Sequence, residues 1–156
     1  MKPLFFSLPG NEDFTARLSA HLGADIGPLE TRRFPDDETY VRLIADVEAR
    51  SVALVCTLDR PDEKTLRLLF AVHAARDLGA ARIGLVAPYL GYMRQDKRFR
   101  PGEAITSNAY ARLLSASLDW IVTIDPHLHR RSSMSEIYSV PVAVCHAAPK
   151  LSSWIR

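Results

Sequence analysis

Three short segments of this chain gather side chains that could hold phosphates and assist their transfer. The first, Arg33-Phe34-Pro35-Asp36-Asp37-Glu38, sets three carboxylates behind an aromatic ring. By residue type alone it reads first as a solvated acidic turn. The second, Pro88-Tyr89-Leu90-Gly91-Tyr92-Met93-Arg94-Gln95-Asp96-Lys97-Arg98-Phe99-Arg100, places four cations among aromatic rings. A guanidinium fork matches phosphate oxygens two at a time, and a ring or an arginine plane can stack on a purine. A solvated basic loop is the plainer alternative. The third, Asp125-Pro126-His127-Leu128-His129-Arg130-Arg131, holds a carboxylate two residues from an imidazole. That pair could hold a hydrated divalent cation beside a nucleotide's phosphates. Two histidines one residue apart also suggest zinc, but no third nitrogen or thiolate ligand lies nearby.

Other phosphate chemistries lack their motifs. There is no G-x-x-x-x-G-K-S/T loop and no G-x-G-x-x-G fingerprint, so a nucleotide would be held by side chains from separate loops. Ser7 and Ser107 have no nucleophile-elbow context, which argues against a hydrolase. His73 falls on the apolar side of a helical stretch and reads as a core histidine.

The segments need strands and helices to aim them, and the chain supplies both in alternation. Leu4 to Leu8 reads as a buried strand, followed by a Pro9-Gly10 turn and Asn11 as the cap of a helix that Gly23 stops. Residues 28–44 switch to a period of two, as in a hairpin-like excursion. Ser51 to Thr57 and Arg82 to Pro88 are near-continuous apolar runs, expected of parallel strands covered on both faces. Between them Pro61 opens a helix whose apolar stripe is Leu66, Leu69, Phe70, His73 and Leu78. A helix over Ile105 to Leu118 and a strand over Trp120 to Asp125 follow, then a short strand from Val142 to Cys145 and a helix-like stretch with Leu151 and Trp154. Alternation from end to end predicts an α/β fold with an open, mostly parallel sheet and helices on both faces. In such a sheet ligands collect beyond the carboxyl ends of the strands, where the second and third segments fall.

The bulk composition narrows the class further. With 156 residues, 47% hydrophobic and 24% charged, the chain suits one globular domain. A formal charge of +2 is too small for a phosphate-backbone binder, so no nucleic-acid partner is expected. Cys56 and Cys145 both sit in apolar runs, as buried reduced thiols of a cytosolic protein. The start is a strand rather than a signal peptide, and no window is apolar enough for a membrane span. A soluble, cytoplasmic protein is expected.

In this order and on these strands, the three segments resemble the ribose-phosphate pyrophosphokinase family over essentially the whole chain. The likeness begins at the strand-Gly10-Asn11-helix opening and continues through Phe34-Pro35-Asp36-Asp37-Glu38, similar to the family's F-x-D-G-E segment. It is most specific at Pro88-Tyr89 through Arg94-Gln95-Asp96-Lys97-Arg98, and Asp125-Pro126-His127 matches the family's D-x-H motif. The resemblance implies a phosphoribosyltransferase-like (type I) half-domain that binds ATP in a magnesium-dependent, homo-oligomeric enzyme. That enzyme transfers pyrophosphate from ATP to ribose 5-phosphate, giving phosphoribosyl diphosphate and AMP. It further implies that Arg94, Gln95 and Asp96 bind ATP, and that Phe34, Asp36, Asp37 and Glu38 approach the adenosine from a neighbouring subunit. His127, with Asp125, would be the magnesium ligand.

Two departures from the family pattern stand out. Asp37 occupies the usual glycine position, and Leu128-His129-Arg130-Arg131 replaces the usual stretch after the histidine. The family's acidic ribose-5-phosphate loop and basic catalytic loop belong to a second half not seen here. The expectation is therefore an N-terminal ATP-binding domain over residues 1–156, inactive by itself. A non-catalytic, nucleotide-binding regulatory homologue is the alternative, and a type I phosphoribosyltransferase a weaker one.

Overall fold

The computed structural model describes residues 2–155. Five parallel strands form the main sheet: β1 (Leu4–Ser7), β4 (Ser51–Val55), β5 (Arg82–Ala87), β6 (Trp120–Ile124) and β7 (Val142–Cys145), side by side in that order. Between β1 and β4 the chain makes helix α1 (Glu12–Leu22) and an antiparallel hairpin of β2 (Leu29–Arg33) and β3 (Thr39–Leu43). Helix α2 (Pro61–Asp77) links β4 to β5, α3 (Thr106–Ser117) links β5 to β6, and α4 (Ala148–Ile155) follows β7. The alternation expected from the apolar runs is present, with strand ends shifted by one or two residues.

Both faces of the sheet carry helices. Phe5, Ala53 and Val55 meet Phe14 and Leu18 of α1 on one side. On the other, Leu54, Ile83, Leu85 and Ile121 pack with Leu68 and Val72 of α2 and Ala111 and Leu114 of α3. Gly84 and Trp120 are paired neighbours on β5 and β6, and a Cβ at Gly84 would lie 1.9 Å from the Trp120 indole. The indole therefore takes the space that a side chain there would need.

Helix α2 buries a different stripe from the one its largest residues suggest. Leu68, Ala71, Val72 and Ala75 are buried, whereas Leu66, Phe70, His73 and Leu78 are exposed. The buried set keeps the i, i+3, i+4, i+7 spacing, and its two alanines let the helix lie close to the sheet. His73 is thus a surface residue, not a core one. Cys56 is buried as expected, but Cys145 is exposed because it closes an edge strand whose alternate residues face outward. Asn11 precedes α1 without capping it through its side chain, and has a longer-range task described below. No described helix is long and apolar enough to cross a membrane.

Candidate functional site

The loops after β5 and β6 enclose a cleft of about 440 Å³ beyond the carboxyl ends of these strands. Tyr89, Leu90, Met93 and Arg94 form one wall, and Asp125, Pro126, His127 and His129 the other. Burial fixes the first wall from behind. Leu90 and Met93 are core residues, the Leu58 amide donates to the Tyr89 carbonyl at 2.8 Å, and the Tyr138 hydroxyl reaches Met93 Sδ at 3.9 Å. Gly91 is required by its neighbours, since a Cβ there would sit 2.7 Å from the Leu58 carbonyl oxygen. Tyr92 follows in the left-handed region (φ +59°), with its ring 4.8 Å from that of Tyr110 and its hydroxyl bonded to Asp62. A left-handed non-glycine residue costs on the order of 1 kcal/mol, and these contacts hold it there.

Arg94 leaves this anchored turn and is exposed in the cleft. Gln95 is held from the start of α3: its carbonyl accepts from the Ser107 hydroxyl at 3.0 Å and its Oε1 from the Thr106 hydroxyl at 3.3 Å. Asp96 turns away from the cleft. Its side chain is 2% exposed, and Arg130 Nη1 donates to Oδ1 at 2.9 Å. Burial opposes ionisation there, but the Arg130 hydrogen bond and charge hold the Asp96 carboxyl below the usual range. Farther along, Glu103 accepts from the Phe99 and Arg100 amides at 2.8 and 3.1 Å and closes the basic loop on itself.

On the second wall Asp125 has a φ of +39°. Both carboxylate oxygens are engaged: the Ala147 amide donates to Oδ2 and His146 Nδ1 to Oδ1, each at 3.0 Å. These two bonds, the Ala147 one first, lower the Asp125 pKa below the ordinary carboxylate value. His127 and His129 are exposed, with ring centroids 5.9 Å apart. The described residues contain no group of three His, Cys, Asp or Glu side chains placed to hold a metal. A protein-built zinc site or closed magnesium cage therefore does not fit the described residues.

The first segment lies apart from this cleft. Phe34 to Glu38 form the exposed tip of the β2–β3 hairpin, and none of the five lines the cleft. The Arg32 guanidinium lies 4.6 Å from the Phe34 ring centroid and 4.3 Å from that of Tyr40, a cation–π arrangement that stiffens the base of the tip. Asp37 has a φ of +68°, and Arg33 pairs with it at 3.2 Å.

Known proteins resemble this chain in sequence and in fold. Residues 4–117 match the family model for the N-terminal domain of ribose phosphate pyrophosphokinase. The chain belongs to this family. It is 36% identical over 146 residues to the ribose-phosphate pyrophosphokinase of Methanothermobacter thermautotrophicus, covering 93% of this chain and 50% of that one. With the enzyme of the same name from Saccharolobus solfataricus it shares 38% over 112 residues, 70% of this chain and 38% of that one. The chain thus spans about half the length, or less, of these curated relatives. In three dimensions it superposes on the phosphoribosylpyrophosphate synthetase of Mycobacterium smegmatis with a TM-score of 0.89 at 23% identity, over 99% of this chain and 52% of that one. The structural likeness establishes the fold, and the family model establishes membership.

Sequence reasoning singled out Arg94, Asp125 and His127, and the structure brings these three to one cleft. It overlooked what Arg131 and His146 do. Both make contacts more than 20 residues distant in sequence, and no local pattern announces them.

Proposed function

We propose that the cleft between Arg94 and His127 is the ATP site of a ribose-phosphate pyrophosphokinase, of which this chain is the N-terminal domain. In the reaction, the anomeric hydroxyl oxygen of ribose 5-phosphate bonds to the β-phosphorus of ATP. The bond from that phosphorus to the oxygen bridging it to the α-phosphate breaks, AMP leaves, and the hydroxyl proton is released. Such transfers depend mostly on positioning and on stabilising charge.

The observation that carries this reading is that Arg94 and His127, on separate loops, both line one cleft beyond the carboxyl ends of β5 and β6. Arg94 binds phosphate oxygens through its guanidinium fork, and the buried turn behind it fixes the direction of approach. Gln95 offers its amide nitrogen, since Thr106 already engages its Oε1. His127, with Asp125, would face a magnesium ion bound to the phosphates, which when present neutralises their charge. Asp96 supports the loop rather than touching the nucleotide. The hairpin tip, Phe34 with Asp36, Asp37 and Glu38, serves the adenosine of a neighbouring copy in a cytoplasmic homo-oligomer. Its exposure and its separation from the cleft suit that role.

Titration calorimetry with ATP and Mg²⁺ tests the site. Saturable binding is expected, weakened tenfold to a hundredfold by Arg94→Ala, about 1.4–2.8 kcal/mol for a charge-assisted contact. An Arg94→Ala variant that binds as tightly as the parent removes the assignment. Adding ribose 5-phosphate and assaying AMP distinguishes a chain that only binds from one that also transfers.

A further inference from the structure

The basic loop that carries Arg94 and the loop that carries His127 are joined behind the cleft by two arginines without a role in the reading above. We propose that Arg131, seconded by the Arg130–Asp96 ion pair, is a positioning residue that sets the spacing of the two cleft walls and so determines affinity for a nucleotide triphosphate.

Arg131 Nη2 lies 2.7 Å from Ser107 Oγ, 2.9 Å from Asn108 Oδ1 and 3.4 Å from the Asp96 carbonyl oxygen. One nitrogen thereby ties its own loop to the first turn of α3 and to the loop after β5. Ser107 passes the connection on, because its hydroxyl donates to the Gln95 carbonyl, the residue next to Arg94. Arg130 repeats the tie beside it through its 2.9 Å bond to the buried Asp96 carboxylate. The Arg131 amide donates to the Leu128 carbonyl at 3.2 Å, so the anchor sits one short turn from His127.

Stability alone is a poor reason for this arrangement. Arg131 Nε and Asp96 Oδ2 are buried without a hydrogen-bond partner among the described residues. A partly satisfied buried ionic network is often no more stabilising than well-packed apolar residues of similar volume. What it provides is direction: a planar guanidinium satisfies acceptors only at fixed angles, so the loops it joins keep one relative placement. A displacement of about 1 Å between groups that share a substrate can cost up to about a hundredfold in function.

The inference rests on the ATP reading for its functional consequence, so the experiment reads the anchor and the ligand separately. Arg131→Met, Arg131→Lys and Asn108→Ala are made in this chain. Each is followed by hydrogen exchange of the segment 94–100, by Mg²⁺-ATP titration, and by a urea midpoint. Arg131→Met is expected to speed exchange in 94–100 by at least about tenfold while β4 and β5 stay protected. Its dissociation constant for Mg²⁺-ATP should rise about tenfold or more. Arg131→Lys keeps the charge but ends one atom short of the Nη2 position, so it should recover only a small part of either effect. Asn108→Ala removes a single acceptor, keeps the fold, and should move both readouts a few-fold the same way.

Unchanged exchange in 94–100 in Arg131→Met and Asn108→Ala overturns the anchor. Full recovery by lysine overturns it too, since bulk charge would then suffice. A parent chain that does not bind ATP at all removes the ATP reading, while the exchange data still decide whether Arg131 holds the loops.

Discussion

Asp37 stands at the tip of the β2–β3 hairpin with a φ of +68°, where the family pattern has glycine. Aspartate is among the few side chains that enter the left-handed region at modest cost, because its short carboxylate can bond locally. Arg33 offsets part of that cost through an exposed ion pair at 3.2 Å, a contact of small value in water. Asp37→Val should destabilise the chain by about 1–2 kcal/mol, because a β-branched residue has no local bond to offer at positive φ. Asp37→Gly should stay within about 1 kcal/mol of the parent. Urea midpoints of the two variants check both expectations, and equal midpoints for valine and glycine would show that the tip rearranges freely.

Among the elements, the first two β-α turns are joined by Asn11. Its Nδ2 donates to the Leu8 carbonyl at 3.1 Å and its Oδ1 accepts from the Thr57 amide, 46 residues away, at 2.8 Å. The side chain is buried, and Asn11→Ala would leave the Thr57 amide without a partner while the Leu8 carbonyl keeps the Asn11 main-chain amide at 3.1 Å; it should cost about 1–3 kcal/mol, read as a lower urea midpoint with an unchanged slope. A loss under about 0.5 kcal/mol, the size of many surface changes, would mean that water replaces the amide. Asparagine before a helix is equally the signature of a cap, and the local rule cannot tell the two uses apart. The same limit explains α2, where large residues suggested one stripe and the sheet took the one containing Ala71 and Ala75. Strands, their order of appearance and the cleft loops were legible because apolar runs and strand-end position are local properties. The Asp96–Arg130 pair was not, since its partners are 34 residues apart and only the fold brings them together.

At the scale of the whole molecule, three carboxylates that the fold stabilises lie in segments between the sheet strands. Asp59 follows β4, Asp96 lies in the loop after β5, and Glu136 sits between β6 and β7. The Lys64 hydrogen bond lowers the Asp59 pKa. Arg130 does so for Asp96 against the opposing effect of burial, and the Ser132 hydroxyl and amide do so for Glu136. A carboxyl with a depressed folded pKa stabilises the native state fully above its unfolded value, and this contribution is lost as the pH falls through the folded value. Ordinary values are about 3.9 for Asp and 4.3 for Glu, so the contribution is intact above roughly pH 5 and fades below about pH 4. The core strands β4 and β5 consist almost wholly of apolar side chains. Acid should therefore loosen the cleft end before it unfolds the sheet. Hydrogen exchange followed from pH 6 to pH 3, corrected for the intrinsic rate, should show segments 94–100 and 130–136 losing protection at a higher pH than β4 and β5. Loss of protection everywhere at one pH would show that the cleft loops and the sheet form a single cooperative unit, and that these carboxylates act on the global equilibrium alone.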